Sequence, residues 1–243
     1  MGAQPEERWS APVAELEAGQ VVAWLRQQPA FRAPRHGDAR RIPCGFATLD
    51  ALLGGGLPRG AISELAGPGG RTSLALAILG AATRRGETVA WVDAANALDP
   101  RSARGAGVDA ARLLWVRPEG ERRERLALKA ADLILDAGGF AFVVLDLTEA
   151  ETPTAGGPRR TPSRRRRRGR DRSAWWVRLA RKVEGTPTVL LCIGDVGSFC
   201  SVLRLHCERG AQRAGFEVRV QIERRRNGPA GGSVSLALAQ PVD

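Results

Sequence analysis

The run from Phe140 to Leu147, FAFVVLDL, is apolar at every position but one acid near its end. A strand with one face in water alternates apolar and polar residues. This run does not alternate, so both of its faces must be covered, as they are when helices pack on either side of a parallel sheet. Two other segments have the same character, Thr88 to Asp93 (TVAWVD) and Pro187 to Ile193 (PTVLLCI), and a shorter strand, Ala61 to Leu65, leads into a glycine loop. Helical spacing is read at Thr72 to Arg84, Arg122 to Ala137 and Trp175 to Val183. Strands alternating with helices predict an α/β fold with a mostly parallel sheet and right-handed crossovers. The tail differs. Val202 to Cys207, Phe216 to Arg224 and Ser233 to Leu238 are strands separated by glycine-bearing turns, which predicts a C-terminal antiparallel extension of the sheet.

The chain divides at about residue 41. Residues 1–41 read as an N-terminal helix and linker. Ser10 caps the helix, Pro12 suits its first turn, Val13, Leu16, Val21, Trp24 and Leu25 recur at helical spacing, and Pro29 ends it. Residues 42–243 form the core, with apolar residues at 43% of the whole chain. No apolar run is long enough to span a bilayer, and the first residues carry charge and proline with no apolar stretch behind them. A cytoplasmic protein without membrane contact is expected. Cys44, Cys192, Cys200 and Cys207 form no CxxC pair and read as reduced, partly buried thiols. With only His36 and His206 beside them, no metal centre is expected.

The formal net charge is +11, and one stretch supplies most of it. Between residues 159 and 172 lie Arg159, Arg160, Arg164, Arg165, Arg166, Arg167, Arg168, Arg170 and Arg172, with Asp171 as the only acid. Lysine occurs only at Lys129 and Lys182, so arginine usage also carries a compositional bias. Residues 151–173 are rich in proline, glycine, serine and arginine, and like charges repel, which predicts a disordered insertion. Arginines without interleaved aromatics contact phosphate backbone and read no base sequence, so this insertion is the candidate DNA-binding segment, with contact to an acidic protein partner as the other reading. Trp175 and Trp176 follow it directly. Two readings stay open for them, bases stacked on the rings or a helix face turned to the core.

Three stretches resemble the RecA recombinase family in order and spacing: GFATLDALLGGGLPRGAISE from Gly45, WVDAANALDP followed by ARGAGVDAARLLWVRP, and the strand that ends in Asp146. The resemblance covers about residues 42–240 and implies a RecA-like P-loop ATPase core. The family's usual C-terminal domain has no counterpart in this sequence. The chemistry departs from the family. A P-loop needs G-x-x-x-x-G-K-[ST], whose amides wrap the β-phosphate while lysine reaches the β- and γ-phosphates. Here the segment is Gly67-Pro68-Gly69-Gly70-Arg71-Thr72-Ser73, with two residues between the outer glycines and arginine in place of lysine. Ala95 stands where the resemblance places a catalytic glutamate, and Gly194-Asp195 where it places an Asn-Gln pair. Asp146 keeps the Walker-B place. Arg224 and Arg226 fall where the family has basic residues that reach a neighbouring subunit's ATP. The second DNA loop is reduced to a few residues after Asp195.

A core with these losses is similar to the ImuA family, RecA-like proteins that act beside ImuB and a DnaE2-type polymerase in translesion mutagenesis. The resemblance implies a catalytically degenerate accessory protein of the DNA-damage (SOS) response. Its partners would be RecA, ImuB or the polymerase, with DNA held through the arginines and at most weak ATP or ADP at the loop. The alternatives are an active ATP-dependent DNA recombinase, a simple basic DNA-binding module, or a SulA-like division inhibitor.

Overall fold

The computed structural model describes residues 40–120, 122–148, 162–194, 200–210 and 216–238, with residues 162–172 described as backbone. The N-terminal helix expected from Ser10 lies outside the described residues. A two-stranded ribbon, β1 (Arg41–Ile42) against β2 (Leu57–Pro58), flanks the short helix α1 (Ala47–Leu53). The chain then enters β3 (Ala61–Ala66), α2 (Arg71–Arg84), β4 (Val89–Asp93), α3 (Pro100–Gly105), β5 (Leu113–Val116), α4 (Arg123–Ala137) and β6 (Phe142–Asp146). After these come α5 (Pro162–Val183), β7 (Val189–Ile193), β8 (Leu203–Arg209), β9 (Phe216–Arg225) and β10 (Ser233–Leu238).

Eight strands form one sheet in the order β10-β9-β8-β3-β7-β6-β4-β5. β5, β4, β6, β7 and β3 are parallel, and β8 joins parallel to the far side of β3. β9 and β10 then fold back antiparallel. Every residue of β4, β6 and β7 is buried, because helices cover both faces of these strands. Along β6, Phe142 and Val144 join the apolar cluster of α1, α2 and α3, while Val143 and Leu145 join that of α4 and α5. This period-two division is the geometry that a continuous apolar run demands.

The helices hold on through specific spacings. α4 buries Ala127, Leu128, Ala131, Ile134 and Leu135, a three-and-four repeat that makes one helical face. On that face sits Asp132, nearly buried, which accepts from Arg178 Nε at 2.7 Å and Nη2 at 2.8 Å and pairs with Lys182 at 3.5 Å. This cluster and the buried Trp176, Leu179 and Val183 fasten the second half of α5 to α4 and the sheet. Burial acts to raise the Asp132 carboxyl, but Arg178 and Lys182 outweigh it and hold the group below the ordinary aspartate value. That contribution to stability is present above the unfolded-chain value and is lost as pH falls through the lower folded one.

The insertion expected to be disordered over 151–173 is corrected in its second half, because α5 begins at Pro162 and is helical through residue 173. Arginine is a good helix former and proline suits the first helical position. A helix already nucleated by packed turns further along propagates at little cost. Residues 151–161, with Arg159 and Arg160, lie outside the described residues.

α2 and α3 touch closely at Gly80. A Cβ placed there would sit 2.1 Å from the Ala106 carbonyl oxygen. Alanine is worth about 1 kcal/mol over glycine in a helix, but overpacking against backbone costs about 1–3 kcal/mol. Gly80→Ala is therefore expected to destabilise, read as a lower urea midpoint with an unchanged slope.

Candidate functional site: the glycine loop and its surroundings

The site forms where the C-terminal ends of β3, β6 and β4 meet the start of α2, the usual place for a ligand crevice in an open α/β sheet. β3 delivers Gly67 and Gly70. Arg71, Thr72 and Ser73 make the first turn of α2, a helix whose N-cap is Gly70 in the left-handed region at φ 80°. β6 delivers Asp146, which pairs in register with Asp93 of β4. The structure thus gathers Gly67, Gly70, Arg71, Thr72, Ser73 and Asp146 at one end of the sheet.

The loop lies flat against β8 and β9. Gly67, at φ 104°, would place a Cβ 2.2 Å from the Cys207 carbonyl oxygen, and a Cβ at Gly70 would meet Val218 Cγ2 at 2.5 Å. The Gly69 N–H donates to the same Cys207 oxygen at 3.5 Å. Two residues shorter than the P-loop pattern, the loop keeps this long amide contact with its own sheet. Beside it is a cleft of about 490 Å3 lined by Pro68, Gly69, Gly70, Ser73, Arg209 and Phe216, with Glu208 at its wall. Arg209 stacks on the Phe216 ring, 4.8 Å from its centroid. A second cleft of about 160 Å3, between α2, α3 and the end of β10, also touches Ser73. The first turn of α2 therefore stands between two hollows.

The acids are occupied. Asp93 accepts from the Ala97 and Leu98 N–H groups, each at 3.0 Å, and from Trp115 Nε1 at 3.3 Å. This clip sets the turn in which Ala95 is nearly buried and Asn96 takes φ 53°. Asp146 accepts from the Thr148 N–H at 3.0 Å and from the Thr148 hydroxyl at 2.5 Å. Burial pushes the Asp146 carboxyl up. The Thr148 hydrogen bonds oppose that shift, neighbouring Asp93 adds to it, and the Arg71 charge draws it back. Arg71 also acts on Cys207, whose thiol burial pushes up to about 12. Cys44 and Cys192 are likewise buried free thiols held well above the ordinary value, first by burial, as unreactive core cysteines are.

A raised folded-state value means that the folded chain binds the Asp146 proton more readily than the unfolded chain. The group supports folding most at acid pH, and its support fades as pH rises through the folded value. Asp146→Asn keeps the Oδ1 acceptor and removes the charge. It is expected to raise Tm at neutral pH and to leave Tm unchanged at acid pH, as thermal melts across pH would record.

Arg224 and Arg226 do not join this site within one chain. Arg224 faces Arg204 across the β8–β9 pairing, level with Glu64. The Arg226 N–H bonds Val202, whose own N–H bonds Ile62. Arg226 is thus level with Ile62, four residues and about 13 Å along the strand direction from Ala66, where the loop begins. Arg224 lies 3.5 Å from the fully buried Glu64 carboxylate and donates to Ser201 Oγ. Arg204 reaches Glu64 at 3.4 Å and Glu223 at 3.0 Å. In the sequence Glu64 is only an acid within a strand, and the cluster is hidden there because Arg204 lies 140 positions from it and Arg224 further still.

Gly194 takes φ 118°, a region that asparagine enters only under strain. Asp195 and the reduced second loop lie outside the described residues. Arg164, Arg165, Arg166, Arg167, Arg168, Arg170 and Arg172 fall on the first turns of α5. Trp176 is 2% exposed and belongs to the core, while Trp175 is half-buried with Arg178 over its ring at 5.9 Å.

Comparison with known proteins adds to this geometry. Residues 33–163, more than half of the chain, match the family described as the RecA N-terminal domain. The Protein RecA of Deinococcus radiodurans is 42% identical over 121 residues, 49% of this chain and 32% of that protein. The Protein RecA of Saccharopolyspora erythraea is 42% identical over 130 residues, 50% of this chain and 36% of that protein. The matched regions thus span about a third of the length of these relatives. With the ALDP turn, the glycine loop and the β6 aspartate all inside the matched region, the chain belongs to the RecA N-terminal domain family.

Proposed function

We propose that this protein acts on DNA in recombination and repair, and that it holds the phosphate backbone through the arginines that precede and open α5. The observation that carries the reading is a family match whose relatives are named Protein RecA, joined to seven arginines on the first turns of one helix. Phosphate contacts by arginine release counterions, so affinity should fall steeply with salt. Changing Arg164 to Arg168 together to glutamine keeps helix-forming residues and removes the charge. The variant should bind DNA at least about tenfold more weakly at moderate salt, with a salt slope shallower by about 0.9 for each phosphate left without its arginine. Equal affinity and slope would remove the arginines from the interface.

A second reading is favoured by the loop geometry. The comparisons taken alone support a working ATP-dependent recombinase. The engaged Gly69 amide, the Cys207 and Val218 contacts and Ala95 argue against the family's triphosphate grip. On this reading the protein is an accessory member of a DNA-damage assembly, partnered by RecA, ImuB or a DnaE2-type polymerase and binding ATP or ADP weakly at most. Pull-down from purified components, with and without the glutamine changes, tests the partner. Capture of none of the three would sink the accessory reading.

A further inference from the structure

The first turns of α5 face three penalties at once. Arg164 and Arg168, Arg166 and Arg170, and Arg168 and Arg172 are spaced four apart along a helix, the spacing at which like charges destabilise. Five consecutive arginines stand near the helix N-terminus, the positive end of its dipole, where cations are disfavoured. Gly169 adds a poor helix former in their midst. Against these stands Asp171, four positions after Arg167. The second half of the helix has opposite properties. Trp176, Leu179 and Val183 are buried, and Asp132 clamps Arg178 and Lys182. One continuous helix of 22 residues, about 33 Å long, therefore joins a firmly held half to a half opposed by its own charge.

We infer that the phosphate backbone of DNA stabilises the first turns of α5, so that DNA affinity and helix stability there are coupled. A polyanion along these turns neutralises the like-charge pairs and complements the dipole together. Coupling is reciprocal: whatever weakens the helix must weaken DNA binding, even when every charge is kept. The packed second half supplies the nucleus from which the helix extends without a new initiation cost. This inference rests on the DNA reading above and adds to it a dependence on backbone conformation that charge alone does not require.

Two charge-preserving variants of the full chain separate the ideas. Gly169→Ala favours the helix and should tighten binding of a short DNA duplex roughly fivefold. Gly169→Pro breaks the helix and should weaken binding by about tenfold or more. Hydrogen exchange of the amides of residues 163–172 should slow when duplex is added to the wild-type chain. If all three proteins bind duplex equally and exchange there is unchanged, the coupling is overturned while DNA binding by the arginines stands. If inorganic polyphosphate slows exchange and duplex does not, the assignment of DNA as the polyanion is overturned. If the wild-type chain binds no duplex, the DNA reading itself fails.

Discussion

Purified protein is expected to release no phosphate from ATP above the background rate, whether or not saturating DNA is present. Three features combine in this expectation. The Gly69 N–H is turned to Cys207, and the loop, two residues short, packs closely on β8 and β9, so it has fewer amides to wrap a phosphate than a P-loop has. Removing a single preorganised hydrogen-bond donor aimed at developing charge costs about 10²–10³ in rate. Ala95, nearly buried, offers no carboxylate to orient water, and loss of a positioned base costs about 10²–10⁴. Asp93, the acid two positions earlier, is held by Ala97, Leu98 and Trp115 and does not substitute. These losses multiply, and a phosphate-release assay reads the result. The first turn of α2 still presents a helix N-terminus, so weak ATP binding without turnover is compatible with the geometry. DNA-stimulated turnover that disappears in Asp146→Asn would instead establish a working recombinase and end the accessory reading.

The second large effect concerns Trp176. Its side chain is 2% exposed and packs in the cluster shared by α4, β6, β7 and Ile62 of β3. Trp176→Ala is expected to cost about 3–5 kcal/mol, which for a chain of this size lowers Tm by about 6–20 °C. Neighbouring Trp175, half-buried beneath Arg178, should cost about 1 kcal/mol when changed to alanine. The contrast distinguishes a core role from base stacking. If Trp176→Ala keeps its Tm and loses DNA affinity instead, the ring stacks on bases and does not support the core.

The strands and helices of the sheet's parallel half were legible because their code is local. FVVLD and VLLCI are apolar at nearly every position, and only a doubly covered strand accepts that. The glycine loop and Asp146 were legible through spacing. Three things were not. That β8 lies beside β3, with the antiparallel pair beyond it, depends on pairings between segments 140 positions apart. The partnership of Glu64 with Arg204 and Arg224 depends on the same pairing. The helical start of α5 was hidden because repulsion among arginines is evident in the sequence, whereas the buried anchor that opposes it is not. Asp132 held a clue, an acid among Leu128, Ala131 and Leu135 on an apolar helix face, which called for a cationic partner from another element.

The central position of β3 has a consequence for how the chain is made. AISELA leaves the ribosome well before both strands that flank it, because β7 and β8 are synthesised roughly 130 or more residues later. Until then an almost wholly buried strand has no neighbour on either side, and the whole arginine-bearing stretch must pass before one arrives. Loop closure over such a span adds little entropy beyond that of a shorter one, but the long sequence separation slows folding. Nascent chains that stop before β7 should therefore be the aggregating species, and the completed chain should refold slowly.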